Sequence, residues 1–152
     1  MPTASGVRDV PERRRDVWQA LAVLGPYCAV CDVSYVVSGT GVGTTFVCAP
    51  GRLDGGQPPP DAPRGEIVEW RSRRVVATRL DLPAETWTTR IELDDLPAGG
   101  TRVSMTLGFA PRVGGRLLDR LQGRTRQRLV QQTLDAELDK VPAHVALVTG
   151  AT

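Results

Sequence analysis

The stretch from Val113 to Val141, VGGRLLDRLQGRTRQRLVQQTLDAELDKV, decides the fold. Leu117, Leu118, Leu121, Leu129, Val130, Leu134, Leu138 and Val141 recur at steps of three and four. There is no proline, and Gly123 is the one glycine inside the periodic part. Such spacing lines apolar side chains along a helix of about eight turns. What precedes it reads mostly as short strands, so the helix is expected to close a sheet.

Immediately upstream, Gly65 to Trp70, Val75 to Leu82, Ala84 to Leu93 and Thr101 to Ala110 alternate apolar and polar residues and are joined by tight connections. Short joints between strands predict an antiparallel meander. Working outward from the first turn pairs Leu80 with Trp87, Thr78 with Thr89 and Val76 with Ile91. The next hairpin is expected to pair Ile91 with Val103, Thr89 with Met105 and Trp87 with Leu107. One face then carries these apolar residues around a polar island of Thr78 and Thr89. The other carries Arg79, Thr88, Arg90, Glu92, Arg102 and Ser104 and meets solvent.

Further upstream, a strand over 30–37 and its partner Thr44 to Ala49 flank the glycine-rich turn Gly39 to Gly43. The expected register sets Tyr35 opposite Cys48 and Val37 opposite Phe46. Between this hairpin and the meander, Pro50 to Gly65 holds five prolines and four glycines and can only be a surface loop. Tyr27 to Ala29 reads as irregular or helical. Before it, Glu12 to Leu24 is an amphipathic helix presenting Val17, Trp18, Leu21 and Leu24, begun by Pro11 and ended by Gly25-Pro26. Thr3 to Val10 is a first strand.

At 152 residues the chain is one domain, expected over 1–145 with a flexible tail at 146–152. A net charge of +2 is too small for a polyelectrolyte binder, so no nucleic-acid partner is expected. Arg makes up all the cations but Lys140, which reflects GC-rich coding before function. No apolar run approaches the ~18 residues of a membrane span, and 1–10 lacks a signal-peptide layout. A cytoplasmic protein with no integral membrane association is expected, and free thiols at Cys28, Cys31 and Cys48 suit that compartment.

The order strand, helix, turn, six strands and terminal helix, with Val17-Trp18-Gln19-Ala20-Leu21 in the first helix, resembles the START-like superfamily, also called SRPBCC. Gly65-Glu66-Ile67-Val68-Glu69-Trp70 opening the middle strands, Gly100-Thr101-Arg102-Val103 opening the last and Leu134-Asp135-Ala136-Glu137-Leu138 ending the helix add to it. The bacterial polyketide cyclase/dehydrase and lipid-transport branch is the nearest in look. The resemblance spans roughly residues 3 to 142. It implies an α+β helix-grip fold, a curved seven-stranded antiparallel sheet wrapped around the terminal helix, with a cavity for an apolar ligand between them. Ala22 to Tyr27 lacks the acidic-then-aromatic pair usual after the first helix, so ligand type does not carry over.

On that fold the cavity wall is expected to comprise Tyr35, Val37, Phe46, Val76, Thr78, Leu80, Trp87, Thr89, Ile91, Val103, Met105 and Leu107. The helix would add Leu117, Leu118, Leu121 and Thr125, which share one face. Val130, Leu134, Leu138 and Val141 share another and would pack on Trp18 and the first helix, with a bend at Gly123.

Chemistry has few candidates. Tyr35 could donate to a carbonyl, and Glu69 could serve as a base of raised pKa, by hairpin parity facing either way. Cys28-Ala-Val-Cys31 has metal or redox spacing, but zinc needs four ligands and only Cys48 and His144 remain. Buried structural thiols, no metal and no cofactor are therefore expected, with His144 solvated in a tail after Pro142. Arg116, Arg120, Arg124 and Arg128 form a ladder on a solvated helix face. The leading expectation is a protein that binds, for storage or transport, a small hydrophobic ligand such as a lipid or polyketide. A cyclase or aromatase-like dehydrase in the same cavity is the enzymatic rival, and an interaction module with a filled cavity the third reading.

Overall fold

The computed structural model describes residues 2–112 and 116–150, with backbone alone for 116–120. Eight strands and two helices follow in the order β1 Thr3–Val10, α1 Arg14–Leu21, β2 Tyr27–Cys28, β3 Val33–Val37, β4 Thr45–Pro50, β5 Arg64–Arg71, β6 Val75–Asp81, β7 Glu85–Asp95, β8 Thr101–Pro111 and α2 Arg116–Thr149. All strands join one antiparallel sheet ordered β1-β8-β7-β6-β5-β4-β3-β2. The sheet has eight strands, not the expected seven, because Tyr27 and Cys28 pair with Ser34 and Val33 instead of staying irregular.

Registers explain which side chains share the inner face. Tyr35 opposes Cys48 and Val37 opposes Phe46. Leu80 opposes Trp87, Thr78 opposes Thr89 and Val76 opposes Ile91. The last hairpin keeps the expected parity but is offset by two residues, so that Ile91 opposes Met105, Thr89 opposes Leu107 and Trp87 opposes Phe109. The cause is the turn: Asp94 and Asp95 stay in the ladder, and Leu96–Gly100 closes it with Gly99 and Gly100 at φ 93° and 90°. Those angles are open to glycine and strained for other residues.

The outer face is knitted by charge. Arg79 bridges Glu66 at 2.9 Å, Arg112 bridges Asp81 at 2.9 Å, and Arg102 bridges Asp9 at 2.9 Å. These pairs are half-exposed, so each contributes little to stability, but together they keep this face polar.

The core lies on the inner face in two adjoining parts. Val17 and Trp18 from α1 meet Val10, Leu93 and Val103 of the sheet and Val141 and Val145 of α2. Trp18 also stacks edge-on against Trp70, ring centroids 4.9 Å apart. In the second part Val130, Leu134 and Leu138 of α2 cover Ala4, Met105, Leu107 and Phe109. The helix comes down here because Gly6 on β1 has no side chain. A Cβ there would lie 2.8 Å from Leu138 Cδ1.

α2 runs through Pro142 to Thr149, beyond the expected end at Val141, so 146–149 are helical instead of a loose tail. Proline removes one helical hydrogen bond, but Val141 and Val145, both fully buried on either side of it, anchor the turn. Among the described residues no helix is long and apolar enough to cross a membrane.

Candidate functional site

Between the inner sheet face and the later half of α2 is a cavity of about 510 Å³. Tyr35, Phe46, Val76, Thr78, Leu80 and Trp87 line it, as do Thr89, Ile91, Met105 and Leu107, where the sheet register sets them. Phe46 lies directly over Gly65, where a Cβ would overlap its ring, so this glycine lets the aromatic form the cavity floor. Trp87 packs on Phe109 with centroids 5.1 Å apart, and its indole N–H donates to Glu85 Oε1 at 2.9 Å. That bond fixes the ring edge and leaves an apolar face as wall.

Other expected wall residues lie elsewhere. Val37 ends its strand at the hairpin tip and is partly exposed outside the cavity. Val103 is fully buried in core under α1, because the two-residue offset sets it opposite Leu93 instead of Ile91. Leu121 is 75% exposed and Thr125 is exposed as well. The side chains of Leu117 and Leu118, with Arg116 and Arg120 of the ladder, lie outside the described residues, while Arg124 and Arg128 are exposed.

The helix half that roofs the cavity is thus the later one. Gln127 already donates to Thr3 O, at the first residue of β1, so the turns before it have no β1 beneath them. From 130 onward α2 carries two stripes, one residue apart. Val130, Leu134, Leu138, Val141 and Val145 are buried, whereas Thr133, Glu137, His144 and Val148 line the cavity, with Val141 touching both. The residues after α1, from Ala22 to Gly25, also line the cavity, as do Cys28 and Cys31.

Polar groups in the cavity are sparse. Among the described residues the Tyr35 hydroxyl makes no side-chain hydrogen bond, and burial, then the neighbouring Cys48, raises its pKa, so it stays a neutral donor. Burial pushes the Cys48 thiol up to about 11, and burial with the nearby Cys28 pushes Cys31 up to about 11. His144 is half-buried instead of solvated, with its pKa lowered mainly by burial, so its ring is neutral at pH 7. Its two nitrogens face the two thiols: Cys28 Sγ lies 3.7 Å from Nδ1 and Cys31 Sγ 3.7 Å from Nε2. The expectation set His144 in a solvated tail, whereas the fold gathers it with both thiols.

No protein-family model matches the sequence, and no curated protein does. Solved structures match along nearly the whole chain. TTHA0849 from Thermus thermophilus has a TM-score of 0.67 at 18% identity, over 99% of this chain and 100% of that one. MLL2253 from Mesorhizobium loti gives 0.63 at 15% identity, over 99% and 98%. Ara h 8.0201 gives 0.59 at 13% identity, over 94% and 96%. Identities this low carry the fold alone. This chain has the helix-grip fold.

Within the helix-grip frame Glu69 is not a cavity residue. A β-bulge at Val68 inserts one residue between Ile67, opposite Thr78, and Glu69, opposite Ala77. That turns Glu69 to the outer face, where it accepts from Arg90 Nε at 3.0 Å and Arg90 Nη2 at 3.3 Å. These bonds hold its carboxyl below the ordinary 4.5, the reverse of a raised base. A depressed folded pKa stabilises the protein above the unfolded value, and the gain is lost as pH falls through the folded pKa. Glu69→Gln is therefore expected to lower the urea midpoint slightly at neutral pH and match wild type well below pH 4.5. Its affinity for any cavity probe is expected to be unchanged.

The wall residues missed in sequence had signals of unequal strength. Cys48 lies opposite Tyr35, so hairpin parity alone included it. Glu137, Val141 and His144 follow at helical spacing once α2 is extended through Pro142. Cys28 and Cys31 had a local signal in their CxxC spacing, but their meeting with His144, more than a hundred residues away, had none.

Proposed function

We propose that this protein binds a small hydrophobic ligand, of lipid or polyketide type, in the cavity between the sheet and the later half of α2. The observation that carries the reading is the cavity itself: about 510 Å³, walled by Phe46, Leu80, Trp87, Ile91 and Leu107. Ligand pockets commonly span ~300–1,000 Å³ with mostly apolar walls and a few placed polar groups. Apolar burial at about 25 cal/mol per Å² would supply the affinity. Tyr35, Thr78, Thr89 and Thr133 would orient a carbonyl, carboxyl or hydroxyl on the ligand.

Binding without chemistry is favoured over cyclisation because the base expected at Glu69 lies outside the cavity, paired with Arg90. The test is displacement of an apolar fluorescent dye by medium-chain fatty acids and by aromatic polyketides. Saturable binding of one dye per chain, displaced competitively by one of these series, supports the reading. Failure of the dye to bind at any concentration below its own aggregation contradicts it.

A further inference from the structure

The CxxC turn is built as a rigid presentation of two sulfurs. Pairing of Tyr27 with Ser34 and of Cys28 with Val33 makes a short hairpin whose loop contains Cys31. Asp32, at φ 52°, reverses the chain next to Cys31 and accepts a hydrogen bond from the Tyr27 hydroxyl. The Arg52 guanidinium stacks over the Tyr27 ring at 4.0 Å, and Gly51 N donates to Asp32 O at 2.8 Å. The proline-rich loop thus braces the turn from behind. Opposite it, His144 projects from the cavity stripe of α2, and all three donor atoms lie within 4.8 Å of one another.

We propose that Cys28, Cys31 and His144 form a Zn²⁺ site in the cavity wall, with a fourth coordination position left to water or a cavity-bound molecule. A tetrahedral centre with Zn–S about 2.3 Å and Zn–N about 2.0–2.1 Å has S-to-N edges of about 3.6 Å. Both sulfur-to-imidazole distances here are 3.7 Å. They run to different ring nitrogens, while one imidazole nitrogen and both sulfurs lie within 4.8 Å of one another, so a small approach of the three side chains on metal binding closes the site. Two thiolates and one imidazole form a soft set that selects Zn²⁺ over Mg²⁺ or Ca²⁺. On binding, each thiol releases its proton to solvent, and the two thiolates neutralise the ion, which suits a half-buried wall. Glu137 is on the same helix and lines the same cavity but is engaged by Lys140 at 3.0 Å, and among the described residues no fourth ligand joins the three.

The site stands on its own and does not depend on a hydrophobic ligand. Reduced full chain is titrated with Zn²⁺ against a chromophoric chelator, and with Co²⁺ as an optical surrogate. One ion per chain is expected, with a thiolate-to-cobalt charge-transfer band and the strong visible absorption of a tetrahedral centre. Cys28→Ser, Cys31→Ser and His144→Ala are each expected to weaken Zn²⁺ binding by more than the ~10–100-fold typical of outer-shell partners. The cobalt spectrum is read on unaltered protein, so a variant that fails to fold does not remove the test. Stoichiometric Co²⁺ without a thiolate band, or undiminished Zn²⁺ affinity in folded Cys28→Ser, overturns the assignment.

Discussion

Leu134→Ala is expected to lower the unfolding free energy by about 2–5 kcal/mol, read as a fall in urea midpoint at unchanged slope. Leu134 is fully buried where α2 crosses β1 and β8, against Ala4, Met105 and Phe109. The site cannot collapse to fill the void, because Gly6 below has no side chain to move into it. The same truncation at Leu121, which is exposed, is expected to cost under about 0.5 kcal/mol. Nearly equal losses at the two positions would mean that the earlier half of α2 is packed as tightly as the later half.

Thr89→Trp is the second large effect. Thr89 is in the middle of β7 and faces the cavity, so an indole there occupies the ligand's volume. Dye affinity is expected to fall at least a hundredfold, about 2.7 kcal/mol, with little loss of stability because the ring enters empty space. Thr88→Trp, one residue away on the outer face, is expected to bind dye like wild type. Equal affinity in Thr89→Trp and wild type would place the dye somewhere other than this cavity.

Much of the architecture was legible because hairpins and amphipathic helices encode themselves locally. Tyr35 opposite Cys48 and Thr78 opposite Thr89 followed from counting outward from the glycine-rich turn Gly39 to Gly43 and from the turn at Pro83. Counting failed where the turn was shorter than its composition suggests: Asp94 and Asp95 look like loop residues yet remain in the ladder, which displaced Val103 from the cavity. It was also blind at Val68, because a bulge adds a residue without any distinctive side chain, and Glu69 turned outward as a result.

The helix was misread for a different reason. Its period is real along the whole length, but periodicity reports an apolar stripe and not what lies under it. Only where the strands end decides that the turns before Gln127 have no β1 beneath them and the later turns roof the cavity. Proline at 142 suggested an end, yet buried Val141 and Val145 hold the helix through it and bring His144 to the cysteines. That meeting of residues far apart in the chain is tertiary information, and no local pattern contains it.

The central claim is that the space under the later half of α2 holds an apolar molecule. Native mass spectrometry of the chain purified from its own cells, followed by organic extraction of the same sample, tests it most directly. The expected result is an adduct that survives gentle ionisation, leaves on denaturation, extracts into organic solvent and is absent from Thr89→Trp. A bare chain mass under native conditions, together with no uptake of fatty acid or polyketide on incubation, would contradict it.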